Sequence, residues 1–155
     1  MLATISGTGD AFGPGGGAAA IRLALDDAAI DTTGIDAVFS GAAGSPRADA
    51  AEAEALRSVF GATPAFAGHA VKAATGEALG ASGGLQALAA LTSLAAGCVP
   101  PTLNADAIDP ACSPPGVFQT VAAERPLSSA LVIASTLEGQ HCALVVTAPP
   151  AEEAQ

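Results

Sequence analysis

The sequence predicts an α/β fold, one layered domain with a mixed sheet of about five strands and three main helices. Three observations lead there. Short apolar runs alternate with segments of helical period from the N-terminus to the glycine at position 97. Glycine and proline punctuate the boundaries between them. Two apolar runs near the C-terminus, Ala130–Ser135 and Cys142–Thr147, are spaced for a hairpin.

Leu2–Thr8 (LATISGT) alternates and ends beside glycine, as a short strand does. Gly13–Gly17 (GPGGG) reads as a flexible connection, because it lacks both the Lys-Ser/Thr of a phosphate loop and the spacing of a dinucleotide fingerprint. Ala18–Ile30 sets Ile21, Leu25 and Ala28 on one helical face with Arg22, Asp26 and Asp27 opposite. Ile35–Ser40 is the next strand, entered through a turn at Thr33–Gly34. Gly41–Asp49 is a loop, and Ala50–Phe60 a second helix stopped by Gly61. A weaker strand, Pro64–Gly68, leads to the Lys72–Gly84 segment. Leu85–Ala96 is the third helix, closed by Gly97 with Pro100 and Pro101 beyond. It carries no charge, and a helix apolar all round is expected to be buried all round. The chain is loop-like from there to Val117. Residues 1–148 are expected to form the domain and 149–155 a disordered tail.

Composition excludes whole classes of function. There are 155 residues, 40 of them alanine, with no Trp, no Tyr and five Phe, so no aromatic platform exists for single-stranded nucleic acid. Fifteen acidic against five basic residues give a net charge of −10, which argues against nucleic acid and anionic membrane as partners. No apolar run is expected to reach the ~18 residues that span a bilayer, and the N-terminus lacks a leader pattern. Cys98, Cys112 and Cys142 are an odd number without C-x-x-C spacing, which fits a reducing cytoplasm and no metal site. No cofactor is implied.

The order of elements and their punctuation resemble the C-terminal half of the β-ketoacyl synthases, the condensing enzymes of fatty-acid and polyketide synthesis. The resemblance begins in the first strand and is clearest over Val71–Asn104. There Lys72, Thr75-Gly76, Gly80-Ala81-Ser82-Gly83 and Pro100-Pro101-Thr102-Leu103-Asn104 stand in the family's order. It implies a thiolase-like half-domain. It also implies a chemistry of one cysteine nucleophile and two histidines, in which the thiolate takes up an acyl group and the imidazoles promote malonyl decarboxylation.

This chain departs from that pattern at each catalytic place. The family's cysteine belongs to an N-terminal half that the sequence does not contain. The first histidine stands in an H-G-T-x-T-P turn, where Ser40-Gly41-Ala42-Ala43-Gly44-Ser45-Pro46 is found; Gly41 marks the degenerate position. The second stands in T-G-H, where Glu77 is found. A carboxylate cannot donate to an oxyanion. The G-F-G-G-x-N turn is replaced by Thr136–His141, leaving Leu137 as the only counterpart of the aromatic gate and His141 where asparagine stood. Ala42–Asp49 is similar to the degenerate loop of chain-length factors, the inactive partners of type II polyketide ketosynthases.

The resemblance implies a non-catalytic subunit that complements a ketosynthase-like chain and shapes its acyl tunnel, with an acyl carrier protein as a further partner. The alternatives are a stand-alone acyl-thioester enzyme using His141 or Cys112, and a homodimeric acyl-chain-binding module. Asp109-Pro110-Ala111-Cys112-Ser113 imitates a nucleophile elbow but reads as a decoy between prolines. Cys98 and Cys142 read as small buried hydrophobes. His69 and His141 read first as surface or turn residues. Lys72 and Glu77 read as a structural ion pair across a turn, with Thr75 and Gly76 shaping it. Asp49, Glu52 and Glu54 read as a solvated helix face.

Overall fold

The computed structural model describes residues 3–113, 117–136 and 138–149. In chain order the elements are β1 (Thr4–Phe12), α1 (Gly16–Ala28), β2 (Ala37–Ser40), α2 (Pro46–Phe60), β3 (Ala67–Ala70), α3 (Lys72–Thr75), α4 (Ser82–Ala96), β4 (Cys98–Val99), β5 (Ala123–Glu124), β6 (Ser129–Ser135) and β7 (Gln140–Thr147). Five strands form one mixed sheet in the order β1-β7-β6-β2-β3. β7 runs antiparallel to both its neighbours, β1 and β6, and β6, β2 and β3 run parallel. The sheet and the C-terminal hairpin are those the sequence predicts.

Strand period two sorts the side chains into two cores. On one face Val38, Leu131, Ile133 and Val145 meet Ile21, Leu25 and Leu56 of α1 and α2. On the other, Phe39, Val132 and Val146 meet Ala90 and Leu94 of α4. α1 lies unusually near its strand. A Cβ on Gly9 would collide with the Ala20 carbonyl oxygen and stand 2.7 Å from the Ala24 nitrogen. One on Gly7 would stand 2.7 Å from the Ala28 Cβ.

Several boundaries differ from expectation. β1 continues to Phe12, because β7 offers ladder partners as far as Gln140. α2 begins at Pro46, four residues early, since a first-turn proline needs no acceptor for an N–H it lacks. β3 begins later, at Ala67, whose amide opens the ladder to Asp36 O at 3.1 Å; Pro64 has no N–H to do so. β4 and β5 make a two-residue antiparallel ladder within the stretch read as loop, too short to leave a periodic signal.

α4 corrects a larger expectation. Only Ser82, Gln86, Ala90, Ser93 and Leu94 are buried, and Leu88 is 56% exposed. A single sheet covers one face of a helix. Here that face carries Gln86, Ser93 and Leu94, Leu85 and Leu91 are half-buried at its border, and Leu88 is open. Joined to the turn before it, the helix gives an 18-residue run, Leu79–Ala96, with mean hydropathy 1.3, so the expectation that no run reaches membrane length fails on count. The same run turns its Gln86 side chain into the sheet at full burial, which is the arrangement of a layered core.

Gly9→Ala should lower the unfolding free energy by about 3 kcal/mol through overpacking against α1. The urea midpoint should fall with m unchanged. Gly83→Ala, whose Cβ meets open space, serves as the control and should be neutral or stabilising.

Candidate functional site

The parallel strands β2, β3 and β6 all end on one side of the sheet, where ligand crevices form in open α/β folds. Residues 41–45, 71–81, 136 and 138–139 emerge there. They hold most of the residues singled out from the sequence.

The turn after β3 is built around one carboxylate. Glu77 Oε2 accepts from Lys72 Nζ at 2.8 Å, and Oε1 accepts from Leu79 N at 2.8 Å and Ser82 Oγ at 2.6 Å. The Lys72 ammonium, then the Ser82 hydroxyl, pulls the Glu77 carboxyl down to about 2. Glu77 therefore stays anionic through the physiological range. The Lys72 side chain is only 9% exposed while Glu77 is 42% exposed, so the pair reaches inward from the lysine end. Gly76 sits at φ 72, a left-handed conformation suited to glycine, and its amide closes α3 on Lys72 O at 2.9 Å. Among the described residues Thr75 bonds locally, to Val71 O and Gly76 O.

The turn after β2 is held by α2. Asp49 Oδ1 and Oδ2 accept from Ala43 N (3.1 Å) and Gly44 N (2.9 Å). Glu52 turns inward: Oε1 accepts from the Ser40 hydroxyl and Oε2 from Gly41 N at 3.1 Å. Burial pushes its carboxyl up to about 7, against the opposing pull of those two hydrogen bonds. The solvated-face reading of Asp49, Glu52 and Glu54 therefore holds for Glu54 alone. The signal was present, since Ser45-Pro46 followed by an acid at position 49 marks a helix start whose first turn faces the preceding loop. Gly41 lies against this cluster; a Cβ there would stand 3.0 Å from Glu52 Oε2.

Gln86, which the sequence reading passed over, joins the same place from the opposite face. Its Nε2 donates to Ser40 O at 2.6 Å and to Ile133 O at 2.8 Å. A long amide side chain on an uncharged, largely apolar helix was the available clue.

Two cavities flank the cluster. One of about 320 Å³ is lined by Ala42, Gly44, Lys72, Asn104 and Cys112. The other, of about 890 Å³, lies between α1, α2 and the β6–β7 turn and is lined by Glu52 and His141 among others. His141 is thus set apart from Lys72 and Glu77. Leu137 lies outside the described residues, as does the tail beyond residue 149. Cys112 sits in a loop with its Sγ 3.6 Å from Pro46 O; desolvation, then Asp109, pushes its thiol up, against a nucleophilic role. Cys98 and Cys142 are half-buried. His69 is no surface histidine. It stands in β3, 7% exposed, edge-on to Phe39 at 6.0 Å between centroids, and burial pulls its pKa down.

Residues 6–106 match the family model described as Beta-ketoacyl synthase, C-terminal domain. The chain is 40% identical over 146 residues to the tetracenomycin polyketide synthase ketoacyl synthase beta subunit of Streptomyces glaucescens, across 90% of this chain and 33% of that protein. The solved structure of the ishigamide ketosynthase/chain length factor superposes with a TM-score of 0.89 at 29% identity, over 96% of this chain and 38% of that one. A β-ketoacyl synthase from Burkholderia phymatum STM815 gives 0.88 at 26% identity, over the same shares of 96% and 38%. The chain spans about a third of the length of the curated relatives it matches, the first of them by 33%.

The raised Glu52 pKa has a sign. The folded state holds this proton more tightly than the unfolded state, whose value is near 4.5, so the contribution is complete below that pH and lost as pH rises through about 7. Glu52→Gln keeps an acceptor and cannot ionise. Relative to the parent, its stability should gain on the order of 3 kcal/mol between pH 4.5 and 7.5, read from urea curves at each pH. Parallel stability curves would show that Glu52 ionises freely.

Proposed function

The chain belongs to the β-ketoacyl synthase family, matching its C-terminal domain, and on that premise we propose that it serves as a non-catalytic, chain-length-factor-like subunit of a polyketide or fatty-acid synthase. It complements a ketosynthase-like partner chain and shapes that chain's acyl tunnel. The observation that carries this reading is Glu77. At the two positions where the resemblance places histidines stand Gly41, without a side chain, and Glu77, whose two oxygens are taken up by Lys72, Leu79 and Ser82. Decarboxylation of a malonyl unit builds negative charge on an oxygen, which needs hydrogen-bond donors. A fixed carboxylate at that place opposes it.

The open side of α4 supports the partner part of the reading. Leu88 is exposed and Leu85 and Leu91 are only partly buried, on a helix without a charged residue. Such a face calls for a covering layer. An acyl carrier protein, which is acidic, would dock on the partner, because this chain's own charge is −10. The setting proposed is cytoplasmic.

Incubated with a malonyl carrier protein and an acyl primer, the chain should show neither decarboxylation nor an acyl adduct on Cys112. Glu77→His should not restore turnover, because members of a catalytic constellation act together. Clear decarboxylase activity in that variant would overturn the reading.

Leu88→Asp should weaken co-purification with a ketosynthase partner at least 10-fold while the melting midpoint of the chain stays near the parent's. A folded variant with undiminished assembly would remove α4 from the interface.

A further inference from the structure

We propose that Ser135 and His141 form a nucleophile–base pair that hydrolyses short acyl esters and thioesters in the cavity between α1, α2 and the β6–β7 turn. This activity is separate from condensation and does not depend on the subunit role above.

The pair follows from the sheet register. Ser135 and His141 face each other across the hairpin, the last partners of the β6/β7 ladder. By strand alternation they share the face of Ile133 and Ala143, which is the α1/α2 side. Ser135 Oγ and His141 Nδ1 are 2.9 Å apart. A hydroxyl becomes a nucleophile when a neutral imidazole within hydrogen-bond reach takes its proton. Cross-strand polar pairs are common and usually only structural. Three features set this one apart.

The first is the cavity. Both residues line a space of about 890 Å³ whose walls include Phe12, Pro14, Ala18, Ile21 and Ile133. That is the size and apolar character of small-molecule sites. The second is access, since Ser135 is exposed at the rim rather than sealed in the hairpin. The third is the seat of the imidazole. It lies on the first turn of α1, where a Cβ on Gly16 would stand 2.5 Å from His141 Cδ2. Glycine at this position leaves room for the ring. Gly17 and Ala18, in that same turn, also line the cavity, and first-turn amides have no helical acceptor of their own. They are the donors available to a developing oxyanion.

The reaction balances with water as the only co-reactant. Ser135 Oγ attacks the acyl carbon while His141 Nδ1 accepts its proton. The carbon–oxygen or carbon–sulfur bond breaks, and the leaving alcohol or thiol takes that proton. Water, deprotonated by the same nitrogen, then cleaves the acyl-serine to a carboxylic acid and restores the hydroxyl. The apolar walls suit an acyl chain of a few carbons, with the leaving group toward solvent beside Ser135.

The test uses a fluorophosphonate probe and p-nitrophenyl butyrate on the 155-residue chain. The probe should add to the peptide containing Ser135, and Ser135→Ala should abolish the adduct. Ester hydrolysis should fall at least 10-fold in Ser135→Ala and in His141→Gln. Gly16→Ala, which favours the helix but displaces the ring, should lose rate similarly with an unchanged melting midpoint. If Gly16→Ala fails to fold, His141→Gln carries the same comparison. Absence of labelling in the folded parent, labelling at another residue, or undiminished hydrolysis in Ser135→Ala would each overturn the proposal.

Discussion

The parallel strands β2 and β6 pair through Phe39 and Val132 and then part. One side-chain amide holds the carbonyls they leave behind: Gln86 Nε2 donates to Ser40 O and Ile133 O from the α4 side. From the other side Glu52 accepts from the hydroxyl of the same Ser40 and from the next amide, Gly41 N. Helices on opposite faces of the sheet are therefore fastened to one split. The residue 41–45 turn and the rim of both cavities start from it. Buried carbonyls without partners would cost roughly 1–3 kcal/mol each, so this network decides whether the crevice end of the sheet is ordered. Among the described residues Gln86 Oε1 has no partner, so the arrangement spends one acceptor to satisfy two others.

Small residues make the rest possible. With 40 alanines and 18 glycines in 155 residues, the chain packs backbone close to backbone instead of interlocking large side chains. α1 against Gly7 and Gly9 is the clearest case. The site follows the same habit, for Gly41 rests on Glu52 and Gly16 accommodates His141.

Much of the fold was legible because its signals are local. The apolar runs Ala130–Ser135 and Cys142–Thr147 and the helical period of Ala18–Ile30 survive into β6, β7 and α1. The family likeness was legible in Lys72, Thr75-Gly76 and Pro100–Asn104, whose order is a property of sequence alone. What escaped were features that exist only once strands are aligned. Glu52 looked solvated because helical position was read without the loop that folds back on it. His69 looked peripheral because the expected strand stopped at Gly68, one residue short of it, whereas β3 runs to Ala70, and its ring packs on Phe39 of the neighbouring strand. The Ser135–His141 contact needs the hairpin register, which no single-strand pattern contains. For α4, composition gave the apolar surface correctly but could not say how many layers were present to cover it.

The chain's few cations are mostly turned to its own use. Lys72 is committed to Glu77, Arg57 to Glu54 and the Ser113 carbonyl, Arg125 to Asp36, and Arg22 to the Ser58 carbonyl. The long-range field is consequently that of an acidic body, and the uncovered α4 face sits within it. Two copies approaching through that face bring together two charges of −10, which repel at distances beyond contact. A partner with a basic rim is instead drawn in, at a rate that salt diminishes once the screening length shrinks below about 10 Å. Ionic strength thus acts in opposite directions on the approach of a like chain and on the approach of a chain with a basic rim.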